Sequence, residues 1–182
     1  MRWITLTFLI LFLTSSLSVK AQNGWYSDIA LLAGSGRLYQ TYEAKLSGNI
    51  SLTEHYKFKN TPICIGVGAG GAYLQDEKTY SSSFFSITDK HGQVNYEFPI
   101  SLGFTVGDSS FSFNVDLGIA YFPTLDFQHK TVAFEPKMML LFNTHKRSAI
   151  GVEIKLIQAI NKETDAEYSP YFLGGGLVLR YY

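Results

Sequence analysis

The segment from Phe111 to Phe122, FSFNVDLGIAYF, constrains the fold more than any other. Phe111, Phe113, Val115, Leu117, Ile119 and Tyr121 occupy every second position, and Ser112, Asn114, Asp116, Gly118 and Ala120 stand between them. Successive side chains of a β-strand point to opposite faces, so this is a strand with one oily and one polar face. VNYEFPISLGFTV repeats the pattern, with Val94, Tyr96, Phe98, Ile100, Leu102, Phe104 and Val106 on one unbroken apolar face. The class of protein depends on whether that face meets a core or a lipid bilayer.

No helical period of useful length follows the first residues. Period-2 segments recur instead between turn signals. They are Trp25 to Gly34, Ala44 to Thr53, Ile63 to Gln75, Val94 to Val106, Phe111 to Phe122, Val132 to Asn143, Ala149 to Ala159, and Tyr171 to the C-terminal Tyr182. Eight strands suit an antiparallel up-and-down closed barrel. Links such as GDSS after the fourth strand and NTHKR after the sixth are short, and EHYKFKNTP after the second is somewhat longer. The other set is longer: DEKTYSSSFFSITDKHG, FPTLDFQHKT and NKETDAEYSP. Short turns at one end and longer loops at the other are the transmembrane-barrel arrangement.

The N-terminal MRWITLTFLILFLTSSLSVKA has a basic residue, an apolar stretch from Ile4 to Leu13 and a small residue at Ala21. It reads as a secretory signal peptide, residues 1–21, ahead of a single barrel domain, residues 22–182. The apolar stretch is shorter than the ~20 residues a spanning helix needs. No cysteine follows it to carry a lipid anchor. Of the 15 basic residues Arg2 and Lys20 leave with the signal, so 13 face 15 acidic ones, a balance that argues against a nucleic-acid partner. Cys64 is the single cysteine, so no internal disulfide is available.

The composition of the polar faces decides which way the oily ones point. A soluble barrel shows water a face rich in Lys, Glu, Arg and Thr. Here that face holds Gly66, Gly68, Gly70, Ser101, Gly103, Thr105, Ser112, Asn114, Gly118 and Ala120. Small side chains suit a crowded lumen, whereas the Phe, Tyr, Leu and Ile of the other face would overfill one. Turned outward, they form a lipid-facing band on a sheet that must close, because lipid offers an open edge no hydrogen bonds. A soluble lipocalin-like carrier is the competing possibility, and Gly24-Trp25-Tyr26 places its glycine one residue off that family's opening motif.

With the oily face outward, the charged strand residues fall inward. These are Asp28, Lys45, Glu97, Asp116, Glu135, Lys137, Glu153, Lys155 and Arg180. Their mixed signs favour pairing across the lumen. An eight-stranded lumen is only wide enough for side chains, so this set reads as a structural polar network rather than an ion path.

The chain resembles the small eight-stranded outer-membrane β-barrels of Gram-negative bacteria, the OmpA/OmpX-like barrel domains. The resemblance spans the mature chain and rests on the strand pattern and on the terminal GLVLRYY. There Leu177, Leu179 and Tyr181 alternate outward while Arg180 points in, similar to the C-terminal signal that the family's barrel-assembly machinery reads. The family's signal often ends on its aromatic, whereas Tyr182 follows Tyr181 here. The resemblance implies an outer-membrane location, with lipid and lipopolysaccharide around the barrel and the assembly machinery as partner during insertion. No peptidoglycan-binding domain follows, so the anchoring role of longer members is not implied.

Several motifs carry less. GVGAGG matches a dinucleotide-binding glycine pattern through Gly66, Gly68 and Gly71, but no helix follows to hold a pyrophosphate, and no cofactor is expected. Some barrels of this size modify lipid A from the rim, and a deacylase of that kind needs a histidine oriented by an acid and a serine nucleophile. His91 with Asp89 and Ser81 to Ser83, and His129 with Asp126, are the candidates, but no histidine has Ser two residues on. Asn49-Ile-Ser51 matches a glycosylation acceptor without meaning in a bacterial strand. The histidines show no metal-ligand spacing, and Cys64 reads as a small lumen residue. The expected role is structural or loop-mediated, in adhesion, interaction or envelope integrity, without catalysis. A lipid A-modifying enzyme and a narrow pore compete with it as roles for a barrel of this size.

Overall fold

The computed structural model describes residues 24–82, 85–107, 110–145, 147–160 and 168–182. Residues 1–21, expected to be a signal peptide, lie outside them. The described residues form eight strands: β1 (Trp25–Tyr39), β2 (Glu43–Lys57), β3 (Ile63–Ser81), β4 (Ser86–Gly107), β5 (Phe111–Pro123), β6 (Lys130–His145), β7 (Ser148–Ala159) and β8 (Tyr168–Tyr181). Each pairs antiparallel with the next, and β8 returns to β1, so the sheet closes into an up-and-down barrel.

Register follows the hydrophobic phase. Leu102 stands opposite Leu117 and Phe104 opposite Val115, while Gly103 faces Asp116 on the other side of the sheet. A one-residue slip would exchange the faces of the whole strand, so burial of one face locks the phase. Gly107 ends β4 at φ 153, where a Cβ would collide with the Phe111 carbonyl, and its missing side chain permits the close approach to the start of β5.

The outer face is apolar around the ring. Leu46 is 76% exposed, Ile100 69% and Leu117 56%, with Leu31, Ile50, Leu102, Ile119 and Leu177 similarly open. Such a band far exceeds what water tolerates and matches a lipid-facing belt. Aromatic side chains border it. At the short-turn end Trp25 packs on Tyr56 and Tyr56 on Phe58, and toward the other end Tyr96, Phe98 and Tyr121 form a second chain of ring contacts.

The strands outrun their sequence pattern at the loop end. The expected long loop after the third strand is a β-hairpin: β3 and β4 stay paired from Leu74 opposite Gln93 to Ser81 opposite Ser86. Beyond Asp76 its alternation is invisible because neither face is buried. The ladder is supported by β-branched and aromatic residues and by opposed charges, with Glu77 facing Lys90 and Lys78 facing Asp89. Likewise β1 continues past Gly34 to Tyr39, leaving only residues 40–42 as a turn into β2. β2 runs on through Lys57, which turns part of the expected EHYKFKNTP link, His55 included, into lumen-facing strand.

Candidate functional site: the filled lumen and the rim above it

The polar faces meet inside the barrel as a layered ionic network. Nearest the chain ends, Arg180 on β8 donates from Nε and Nη2 to the two carboxylate oxygens of Asp28 on β1, both at 2.7 Å. Its guanidinium lies over the Tyr26 ring at 4.0 Å, and that ring stacks on His55. The Asn114 amide oxygen, correctly oriented, accepts from the same guanidinium. Such a planar fork suits a carboxylate held bidentate.

A second pairing lies deeper. Lys155 Nζ donates to Glu97 at 2.5 Å and stands 3.2 Å from Glu135. The other Glu97 oxygen accepts from Asn49 Nδ2 at 2.6 Å. Lys137 stands 3.5 Å from Asp116 and donates to Thr53 at 3.3 Å. Glu153 is buried beside them. Lys155, Glu97, Asp116 and Arg180 are all at most 1% exposed. Charges so deep are retained only where partners enclose them.

Lys45 departs from the sequence expectation. It sits half-exposed on the loop side of β2 and pairs with Glu77 at 2.5 Å and Glu43 at 3.4 Å, outside the buried network. Its position two residues from the end of β2 lets its long side chain reach the rim. Leu177 and Leu179 of the terminal strand face outward, with Tyr181, and Arg180 faces inward.

An apolar layer that the alternation does not reveal closes the lumen toward the loops. Leu38, Leu74, Phe122, Ile157 and Phe172 are buried at or below 1% exposure and belong to one cluster with Ala72, Ala133 and Tyr168. Phe122 and Phe172 have aromatic or apolar neighbours on both sides, so sequence phase alone cannot say which residue turns inward there. Asn114 is on the inward face that its strand's alternation predicts, but like Asn49 and Tyr26 it is neutral, and His55 lies in what reads as a link, so a search for charges leaves all four out of the network.

Above that layer sits a rim cluster. Asp76 Oδ2 accepts from the backbone N–H groups of Leu38 and Tyr39 at 2.8 and 2.9 Å. His91 lies between two carboxylates, with Nδ1 3.5 Å from Asp76 and Nε2 3.7 Å from Asp89. The Tyr42 hydroxyl donates to Asp89 at 2.9 Å, which pushes its own ionisation upward. Tyr39 and Tyr42 flank the imidazole, and His129 stacks on Tyr168 at 4.6 Å.

The candidate nucleophilic serines do not lie beside His91. His91 is opposite Asp76, whereas Ser81 is opposite Ser86. Five residues of strand, ~17 Å at the usual rise, separate them. Ser83 lies outside the described residues. Asp126 accepts from Thr124 Oγ1 and from the Gln128 N–H, and those bonds hold its carboxyl below the usual range. It serves to order the β5–β6 loop, in which Phe127 adopts a left-handed φ of 59.

Comparison with solved structures identifies the architecture. Neisserial surface protein A matches over 87% of this chain and 96% of its own, with a TM-score of 0.53 and 9% identity. OprG from Pseudomonas aeruginosa matches over 87% and 95%, with a TM-score of 0.53 and 11% identity. Both are small outer-membrane barrels, and at such identity the likeness is one of fold. No protein-family profile and no curated protein sequence matches the chain.

Proposed function

We propose that this chain is a small outer-membrane barrel that acts as a scaffold presenting its loop-end surface, with no turnover and no open pore. The carrying observation is the contrast between the two ends of the molecule. Charged and apolar side chains fill the lumen, and beyond it β3 and β4 extend as a polar hairpin tipped by Phe85 and flanked by the His91–Tyr39–Tyr42 cluster. The apolar outer band supports residence in lipid, where an edge-free barrel is one of two viable spanning structures. Export by residues 1–21 and insertion through the terminal strand, with Leu177, Leu179 and Tyr181 outward, belong to the same proposal. On this reading the short turns are periplasmic and the hairpin is external.

Five residues of strand, ~17 Å, separate Ser81 from His91, so that serine is out of reach as a nucleophile for this histidine. Two measurements test the reading. The purified protein in a planar bilayer shows no steady large conductance, and lipid A from a deletion strain keeps the wild-type acyl pattern by mass spectrometry. Steady conductance would reinstate the pore. A changed acyl pattern restored by wild type but not by His91→Ala or His129→Ala would reinstate the enzyme. Recovery of a folded monomer in detergent-free buffer would reinstate the lipocalin-like carrier.

A further inference from the structure

Three side chains distant in sequence meet low in the lumen: His55 on β2, Cys64 on β3 and Asp116 on β5. One ligating atom from each lies within 4.8 Å of the others, and all three residues are fully buried. We propose that they form a binding site for a divalent transition-metal ion, zinc before others. Imidazole, thiolate and carboxylate together are a zinc donor set, and three protein ligands leave one tetrahedral position open.

Three observations carry this beyond a chance cluster. The first is unsatisfied polarity: neither ring nitrogen of His55 and neither carboxylate oxygen of Asp116 has a hydrogen-bond partner, although both residues are 0% exposed. Their contacts are longer ionic ones, from His55 Nε2 to Asp28 at 3.3 Å and to Asp116 at 3.8 Å, and from Lys137 to Asp116 at 3.5 Å. Buried polar atoms normally find partners, and a metal ion would supply one to each residue.

The second is space reserved around the ligands. A Cβ at Gly103 would collide with Asp116 Oδ1 and Cys64 Sγ, and one at Gly66 would stand 2.8 Å from His55 Nδ1. The two glycines let the three groups converge from different strands. Ligands around tetrahedral zinc are separated by about 3.5 Å, so side-chain adjustments on the order of 1 Å close the site. Asp28, clamped by Arg180, stands 3.3 Å from His55 Nε2, so Nδ1 is the nitrogen left for the metal while Asp28 orients the ring, as carboxylates commonly do for metal-bound histidines.

The third is charge. The buried carboxylates of this region are Asp28, Glu97, Asp116, Glu135 and Glu153, and the permanent cations are Lys137, Lys155 and Arg180. Five against three leaves two formal negative charges. A dication bound to a Cys64 thiolate reduces that to one. Lys137 is the competing cation at Asp116, and it keeps its Thr53 contact and the nearby Glu153 charge when a metal takes its place.

The test uses the full mature chain in detergent micelles, with Co²⁺ as the spectroscopic probe and Zn²⁺ as competitor. Wild type should bind one Co²⁺ with thiolate-to-metal charge-transfer absorption that Zn²⁺ abolishes. Cys64→Ser should lose that absorption, and His55→Gln and Asp116→Asn should weaken binding at least about tenfold. His91→Ala, at the rim, should leave it unchanged. A second measurement needs no variant: Zn²⁺ should raise the urea midpoint of wild type in micelles, because an ion that binds only the folded chain stabilises it. Absent charge transfer, unchanged affinity in Cys64→Ser, or an equal urea midpoint with and without Zn²⁺ would each overturn the site.

Discussion

Asp28 and Arg180 face each other across the seam between the first and last strands, joined by two 2.7 Å hydrogen bonds. They are 152 residues apart in sequence, so the pair forms only when the barrel closes. Removing one partner leaves a buried charge unmatched. Arg180→Met should therefore destabilise the barrel by about 3–5 kcal/mol, and Asp28→Asn with Arg180→Met should recover part of that. Urea unfolding in micelles, followed by heat-modifiable migration on gels, measures both. Equal stability of Arg180→Met and wild type would mean that the seam does not depend on the pair.

Orientation is testable residue by residue. Leu117 is exposed on the apolar band and Asp116, one residue before it, is fully buried. Leu117→Arg should cost ~2–4 kcal/mol, the midplane cost of that side chain in lipid. In a Cys64→Ala background, single cysteines at 102, 104, 115 and 117 should react with lipid-phase probes, and those at 97, 103, 116 and 118 should not. The inverse labelling pattern would place the oily face inward.

Phe122 sits in the apolar layer that stoppers the lumen and is fully buried. Phe122→Ala should destabilise by about 3–5 kcal/mol through lost transfer energy and the cavity left behind. A cost below about 1 kcal/mol would show that neighbouring side chains collapse into the gap and that the layer is loosely packed.

The Asp126 carboxyl is held below its ordinary value of 3.8, first by the Thr124 hydroxyl and then by the Gln128 N–H. A folded-state value below the unfolded one gives stability that is present above the unfolded value and lost as the pH falls through the folded one. Hydrogen exchange of the Gln128 and His129 amides should stay slow at neutral and mildly acidic pH and quicken only at strongly acidic pH. Thr124→Val removes the donor and should move that onset upward. An unchanged onset would assign the loop's order to its backbone bonds alone.

Much of the barrel was legible because lipid and lumen impose opposite demands on alternate residues. β4 and β5 carry that alternation without a break, and their register in the structure matches it: Leu102 and Leu117 outward, Gly103 and Asp116 inward. The β3–β4 hairpin was not legible. Beyond Asp76 neither of its faces is buried, so its strands rest on cross-strand hydrogen bonds and paired charges that leave no hydrophobic period. The inward turn of Phe122 and Phe172 was hidden for the opposite reason, since apolar residues adjoin them on both sides.

Alternation along each strand was enough to select the class of fold. A period-2 pattern with small and charged residues on one face and large apolar ones on the other is satisfied by a closed barrel in lipid, because lipid cannot hydrogen-bond an open edge. Which charges meet depends on how the strands are assembled into the ring. Strand tilt and ring closure bring Lys155 to Glu97, Arg180 to Asp28, and His55 to Cys64 and Asp116, while Lys45 is carried away to the rim. Those pairings depend on stagger around the whole ring, a quantity that no single strand's pattern contains.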